Sequence, residues 1–309
     1  MTRGAVVEAV VAAVVGILLT GCAGAGGSPP DGARPGAAPA AAEWVATDEG
    51  DALFTVDCPF SHRAADDPIV HPGHPGASHS HDFFGSEAVD ASSTGASLRG
   101  TATTCVDPDD TASYWVPTLS IDGAPVEPTF LRAYYRAVPG SDVREVEAPP
   151  LGLAMIAGDP TAGGGHEHGT TDGARHHPWS PTGEAGWGCG LRPRRLRVEP
   201  PTDCTDASPL TLRLRFPDCW DGVRLDSEDH RAHVAPSVDG ACPASHPVAM
   251  TQLQVSVVWP VTGAAAGRAT LASGPVAGAH GDFLNGWDPD ALADHVELCI
   301  RARANCTIG

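Results

Sequence analysis

The stretch TLRLRF, residues 211–216, decides the fold class. Polar and apolar positions alternate along it, the period of two that a half-buried β-strand requires. Strand-like segments recur outward in both directions, at Phe54–Phe60, Tyr114–Ile121, Leu131–Val138, Leu151–Ala157 and Leu253–Trp259. Asp122-Gly123, directly after VPTLSI (116–121), is a hairpin turn signal. One helix is expected near the C-terminus: Asp288 can cap it, Pro289 suits its first turn, and Leu292, Val296, Cys299 and Ile300 recur at helical spacing. With 36 Gly and 29 Pro the remainder must be rich in loops. The expected class is therefore mainly β, a single decorated, loop-rich, β-sandwich-like domain.

The N-terminus addresses the chain rather than folding it. An apolar run from Ala9 to Leu19 follows Arg3, too short for a bilayer core that needs about 20 apolar residues, so it suits a signal peptide. Leu19-Thr20-Gly21-Cys22 has the lipobox pattern, in which the cysteine is lipidated and becomes the mature N-terminus; an ordinary secretory signal cleaved nearby is the alternative. The expected division is a signal peptide over residues 1–21, a Gly/Ala/Pro tether over 22–42 and one extracellular domain over 43–309. The membrane is then a partner through the lipid on Cys22, with the domain on its outer face.

Nine cysteines less Cys22 leave eight, an even number in an oxidising compartment, which points to four disulfides. Short loops close most easily, so sequential pairing is expected: Cys58–Cys105, Cys189–Cys204, Cys219–Cys242 and Cys299–Cys306. No C-x-x-C spacing supports thiolate zinc. A net charge of −19 argues against nucleic acid as a partner. Arg192, Arg194, Arg195 and Arg197 form a local exception, read as a solvated edge or an anion site. No serine-hydrolase elbow, zincin, P-loop or dinucleotide motif occurs.

Three separated segments concentrate His and Asp: GASHSHDFFG (76–85) with His79, His81 and Asp82; CWDGVRLDSEDHRAH (219–233) with Asp221, Asp226, Asp229, His230 and His233; and HGDFLNGWD (280–288) with His280, Asp282, Asn285 and Asp288. His79 and His81 share a side if the backbone is extended, and His230 and His233 share a face if theirs makes a helical turn. Histidines 79, 81, 230, 233 and 280 are the candidate ligands of a divalent transition metal. The same side chains, with Asp82, Asp226, Asp229 and Asp282, would serve equally as catalytic acids and bases. A purely structural role in loops remains open. Convergence of His79, His81, His230, His233, His280 and Asp282 in one concave site is expected of either chemistry. Asp221, Asn285 and Trp287 are candidate substrate contacts, while Trp115 and Trp220 are expected in the core. His166, His168, His176 and His177 sit in a glycine-rich patch and are expected on an exposed loop.

These segments resemble a family. PIVHPGHPGASHSHDFFG, TTC, YWVPTL, YYR, MIAG, FPDCWDGVRLDSEDHRAHVA, CPASHPV and HGDFLNGWD occur in the order seen in the domain-of-unknown-function family nineteen-ninety-six, over about Phe54 to Cys306. That family has no settled activity. Some fungal members carry WSC modules, which implies a cell-wall or polysaccharide setting by analogy. The resulting expectation is a surface-tethered protein acting on extracellular polysaccharide through a His/Asp cleft, as hydrolase or lyase; the alternative is a non-catalytic wall-binding or adhesion lipoprotein.

Overall fold

The computed structural model describes residues 44–47, 52–160, 185–193 and 195–308, all within one compact unit over 42–309. The signal segment, Cys22, the tether and His166, His168, His176 and His177 lie outside the described residues. Among the described residues no helix is long and apolar enough to cross a membrane.

Seventeen strands dominate the described residues. They are β1 (Trp44–Thr47), β2 (Leu53–Ala64), β3 (His81–Gly85), β4 (Ser113–Pro117), β5 (Leu119–Ile121), β6 (Ala124–Pro125), β7 (Phe130–Arg136), β8 (Ala154–Gly158) and β9 (Ala185–Cys189). After them come β10 (Leu210–Arg215), β11 (Cys219–Trp220), β12 (Val234–Ala235), β13 (Val248–Ala249), β14 (Gln252–Val258), β15 (Ala269–Leu271), β16 (His280–Leu284) and β17 (Asn305–Ile308). Two short helices are α1 (Gly95–Leu98) and α2 (Pro289–His295). Eleven strands form one sheet in the order β8-β16-β4-β3-β2-β7-β14-β10-β9, with β17 running parallel to the start of β2 and pairing β1.

The fold is mainly β, and one curled sheet supplies both layers around its core. Every strand of the main path from β2 to β16 sends residues into that core, among them Phe54, Phe84, Tyr114, Tyr135, Met155, Trp187, Leu212, Val255 and Phe283. The sheet nearly closes, because β16 reaches across to β10: a Cβ on Gly281 would lie 2.4 Å from Leu214 Cδ1 and 3.0 Å from Val116 Cγ1. In TLRLRF, Leu212 and Leu214 are fully buried while Arg213 and Arg215 take the opposite face, as alternation demands. A polar chain crosses the core. Trp287 Nε1 donates to Tyr135 Oη at 3.0 Å, the two tyrosine hydroxyls of 114 and 135 meet at 2.6 Å, and Tyr114 donates to Asp110 at 2.9 Å.

The punctuation is local chemistry. Asp122 and Gly123, both at positive φ, turn β5 into β6 as the hairpin signal requires. Asp288 caps α2 by accepting from the backbone N–H groups of Asp290 and Ala291, with Pro289 in the first turn; a π-helical turn over Val296–Arg301 continues it and keeps Val296, Cys299 and Ile300 buried. Trp115 is in the core as expected, whereas Trp220 is half-buried, its indole N–H donating to Arg224 O at 2.6 Å.

All four disulfides pair sequentially: Cys58–Cys105, Cys189–Cys204, Cys219–Cys242 and Cys299–Cys306. Each is worth about 2 to 4 kcal/mol, so together they are comparable with a domain's whole net stability. Denaturant titration is expected to show a marked loss of stability when a reductant is present. Thiol titration of the denatured, unreduced domain is expected to find none of these eight cysteines free, and two or more free thiols would contradict the pairing.

Candidate functional site

Cross-strand partners point to the same face of a sheet, so the registers sort the candidate residues. His81 pairs with Pro117, Phe83 with Trp115, Trp115 with Asp282 and Asp282 with Ile156. His280, two residues before Asp282, shares this outer face. Loops cover the face: Ile69, Val89 and Leu98 pack with Phe83, Trp115, Ala154, Ile156 and Leu284 into a second, smaller core. At its rim the imidazole rings gather. The ring centroids of His79 and His81 lie 4.2 Å apart, those of His79 and His280 lie 5.4 Å apart, and one donor nitrogen from each of the three falls within 4.8 Å of the others.

The hydrogen bonds fix the tautomers. His81 Nδ1 lies 3.0 Å from Asp66 O, and His280 Nδ1 lies 2.9 Å from Gly278 O. A carbonyl oxygen only accepts, so Nδ1 carries the proton in both rings and Nε2 carries the lone pair. The Nε2 atoms of His79 and His81 are buried with no hydrogen-bond partner among the described residues. Burial pushes the His79 pKa down to about 4, with the charges of His280 and His71 adding to it. Burial and then the His79 charge bring His81 down to about 3, and burial lowers His280 too. All three rings are therefore neutral near pH 7, the form a metal requires, and poor bases for chemistry there.

The setting of His280 depends on glycine. Gly158 pairs with it across β8 and β16 at φ +87°, and a Cβ on Gly158 would come within 2.3 Å of Ala279 O and 2.8 Å of His280 Cα. Asp282 is wholly buried on the same face. Its Oδ2 has no hydrogen-bond partner among the described residues, and burial raises its pKa well above the ordinary aspartate value.

Other expected members go elsewhere. Asp82 follows His81 along the strand and so points to the opposite face, where its Oδ1 accepts from Arg63 Nε at 2.5 Å and from Thr118 Oγ1 at 3.2 Å. It is a buried partner of Arg63 on the inner side of the strand, not part of the imidazole cluster. His230 and His233 do not share a helical face: the segment turns at His230, whose φ is +56°. His230 donates to Asp226 at 2.9 Å, while His233 donates from Nε2 to Ala154 O at 2.6 Å and has Ser227 Oγ 2.9 Å from Nδ1. With both ring nitrogens of His233 occupied, the five-histidine metal set reduces to three, and the expected convergence of all three segments fails for these two rings.

Asp221 and Asp229 close turns. Asp221 accepts from Val223 N, Arg224 N and Arg224 Nε; Asp229 accepts from Ala232 N, Arg231 N and Ser227 Oγ. Asn285, expected as a substrate contact, instead donates to Pro149 O and Pro150 O and accepts from Trp287 N. Trp287, expected as a substrate contact, is fully buried in the main core.

Three neighbours escape a reading of the sequence. Arg231 clamps the end of β8, donating to Gly158 O at 2.6 Å, and its charge is felt at both His280 and Asp282. It sits between two histidines that draw attention from it. Asp67 is buried and accepts from Ile69 N and Val70 N, and the charge of His71 acts on His79 and His81. Both stand in or beside the PIVHPGHPG loop, where their nearness to His79 in sequence is the available signal.

The family described as Domain of unknown function (DUF1996) matches residues 67–287. No curated protein and no solved structure matches the chain.

The histidine shifts carry a consequence for stability. His79 and His81 titrate near 4 and 3 in the folded chain against an ordinary value of 6.5, so the unfolded chain binds more protons once the pH drops below 6.5. Their contribution is complete above that value and drains as pH falls through the window toward 3. In chelator-treated protein, the melting temperature is expected to fall from pH 7 to pH 4 less steeply for His79→Gln/His81→Gln than for the wild type. Parallel slopes would contradict the assignment.

Proposed function

Because the chain belongs to the DUF1996 family, a membership that fixes no activity, we propose a function from its own site: an exported, lipid-tethered protein that acts on cell-wall or extracellular polysaccharide through a divalent transition metal held by His79, His81 and His280. One observation carries the metal centre. Three neutral imidazoles from two strands and a loop face one another with Nδ1 of two rings tied to backbone carbonyls, and two buried Nε2 atoms lack a hydrogen-bond partner among the described residues. A structural cluster would pair those nitrogens, since a buried polar atom left unpaired costs about 1 to 3 kcal/mol. Carbonyl-anchored imidazole is the usual outer support of a metal ligand.

Acid–base chemistry without a metal is the weaker alternative, because burial leaves these rings neutral and weakly basic near pH 7. Three protein ligands leave a coordination position open. A metal bound there supplies Lewis acidity and activates water, the need of a polysaccharide hydrolase or lyase. Arg231 stands by with positive charge beside His280, and the buried Asp282 flanks the cluster on the same strand. The tether and the lipid on Cys22 rest on the N-terminal sequence, and the polysaccharide on the setting of the family.

Two measurements test this. Zinc or cobalt titration of the chelator-stripped domain is expected to give one tight site, weakened at least a hundredfold in His81→Ala and in His280→Ala and unchanged in His230→Ala. Incubation with a panel of wall polysaccharides is expected to release products that disappear with His81→Ala or chelator. No metal affinity, or equal affinity in all three variants, would overturn the centre; metal binding with no turnover across the panel would overturn the enzyme and leave a wall-binding lipoprotein.

A further inference from the structure

A buried metal centre needs a way in, and the three imidazoles are largely enclosed. His81 is 0% exposed and His280 5%, both stand on strands buried on either face, and the small core around Ile69, Val89 and Leu98 covers the adjoining surface. His79 is the half-buried member, and the chain just before it reads HPGHPG, residues 71–76. Two consecutive turns make up this stretch. His74 N donates to His71 O at 3.1 Å and Ala77 N to His74 O at 3.2 Å. Pro72 and Pro75 take the second turn positions, and Gly73 and Gly76, each at φ +73°, take the third, the pattern of a type II turn. The repeat therefore sets a histidine at the start of each turn. Backbone bonds tie both turns down beside the cluster: His71 N donates to Asp67 O at 3.0 Å, Gly73 N to Ala91 O at 2.6 Å, Gly76 N to Asp66 Oδ1 at 2.9 Å and Ser78 N to Ala65 O at 3.2 Å. The carbonyl of the same Asp66 holds Nδ1 of His81.

Exposure grades along this loop, from His74, which is exposed, through the half-buried His71 and His79 to the buried His81. The rings divide in the same order. Outside the cluster His62, His230, His233, His246 and His295 each engage a ring nitrogen in a hydrogen bond, and within it His81 and His280 engage Nδ1. Among the described residues the rings of His71, His74 and His79 make none, and all three stand on this loop. Turn formation is met by the prolines and glycines, so it gives no reason for a histidine at both starts. The charge of His71 reaches both His79 and His81. We propose that His71 is an entry ligand of the metal centre: a divalent transition-metal ion is taken from solvent at the two turns, by His74 and then His71, and handed on to His79, His81 and His280. The inference rests on the metal reading of those last three rings. Imidazole nitrogen suits such ions at every stage of the path. Each transfer exchanges one ligand for another: the metal–nitrogen bond to His71 breaks as a bond to His81 or His280 forms, bound water leaves to solvent, and no electron moves. The receiving rings have no proton to release, since burial keeps them neutral near pH 7.

An entry ligand changes rates and leaves the equilibrium alone, because it belongs to the path and not to the end state. Stopped-flow loading of cobalt(II) into the chelator-stripped chain, followed by the absorption of the bound ion, and its release into excess chelator give both rates. His71→Ala is expected to slow loading and release by the same factor, about fivefold or more, with a dissociation constant within about twofold of the wild type. His74→Ala is expected to slow both more mildly, and His230→Ala to slow neither. If His71→Ala lowers the melting temperature, His71→Asn, whose side chain suits a turn, takes its place with the same expectation. Unchanged rates, faster loading, or a weaker dissociation constant at an unchanged loading rate would overturn the entry ligand and leave the metal centre standing. A wild-type chain that binds no cobalt would overturn the centre and the entry ligand together.

Discussion

Side-chain alternation along β3 and β16 is the constraint on which the site and the core both depend. Each of these strands is buried on both faces, so every residue is committed to one side or the other. In β3, His81 and Phe83 go outward and Asp82 and Phe84 go inward; in β16, His280 and Asp282 go outward and Gly281 inward. Gly281 is small because Leu214 and Val116 already occupy the space above it, and this close approach lets the sheet curl toward closure. A slip of one residue in either strand would bury the imidazoles among Phe84, Tyr114 and Phe283 and turn apolar side chains toward the site. The same register that closes the barrel-like core therefore presents the histidines.

The frame is readable where one face of a strand is wet. TLRLRF, the hairpin at Asp122-Gly123, the Asp288-Pro289 helix start and the sequential disulfides all follow from short-range chemistry, and the structure bears them out. HDFFG and HGDFL do not read as strands. With both faces buried they lack alternation, and Gly, His and Asp give them little intrinsic β-preference. These two strands carry the cluster, so its geometry can be anticipated only for His79 and His81, whose spacing places them on one side of an extended backbone. The loop of residues 219–233 misleads because its vocabulary copies that of the site. Its aspartates and histidines cap turns and bond backbone carbonyls, a use that looks identical in sequence. Arg231, the residue of that loop with charge to offer His280, stands out in no motif.

The two outer faces differ in how they treat charge. Around His79, His81 and His280 desolvation disfavours the protonated, charged rings, and the nearby Asp282 is itself disfavoured as an anion. Binding a cation there would reverse that balance, because a metal both needs the free Nε2 lone pairs and stabilises an anionic carboxylate nearby. The opposite half of the sheet carries guanidinium groups instead, and Asp57 holds one of them, Arg132, in a bidentate pair.

The central claim is that three imidazoles ligate one metal, and X-ray absorption at the metal edge of the zinc-loaded domain tests it most directly. Three nitrogen scatterers at about 2.0 to 2.1 Å, with the outer-shell pattern of histidine rings, are predicted. A first shell made of oxygen alone, or one with a single imidazole, would contradict it.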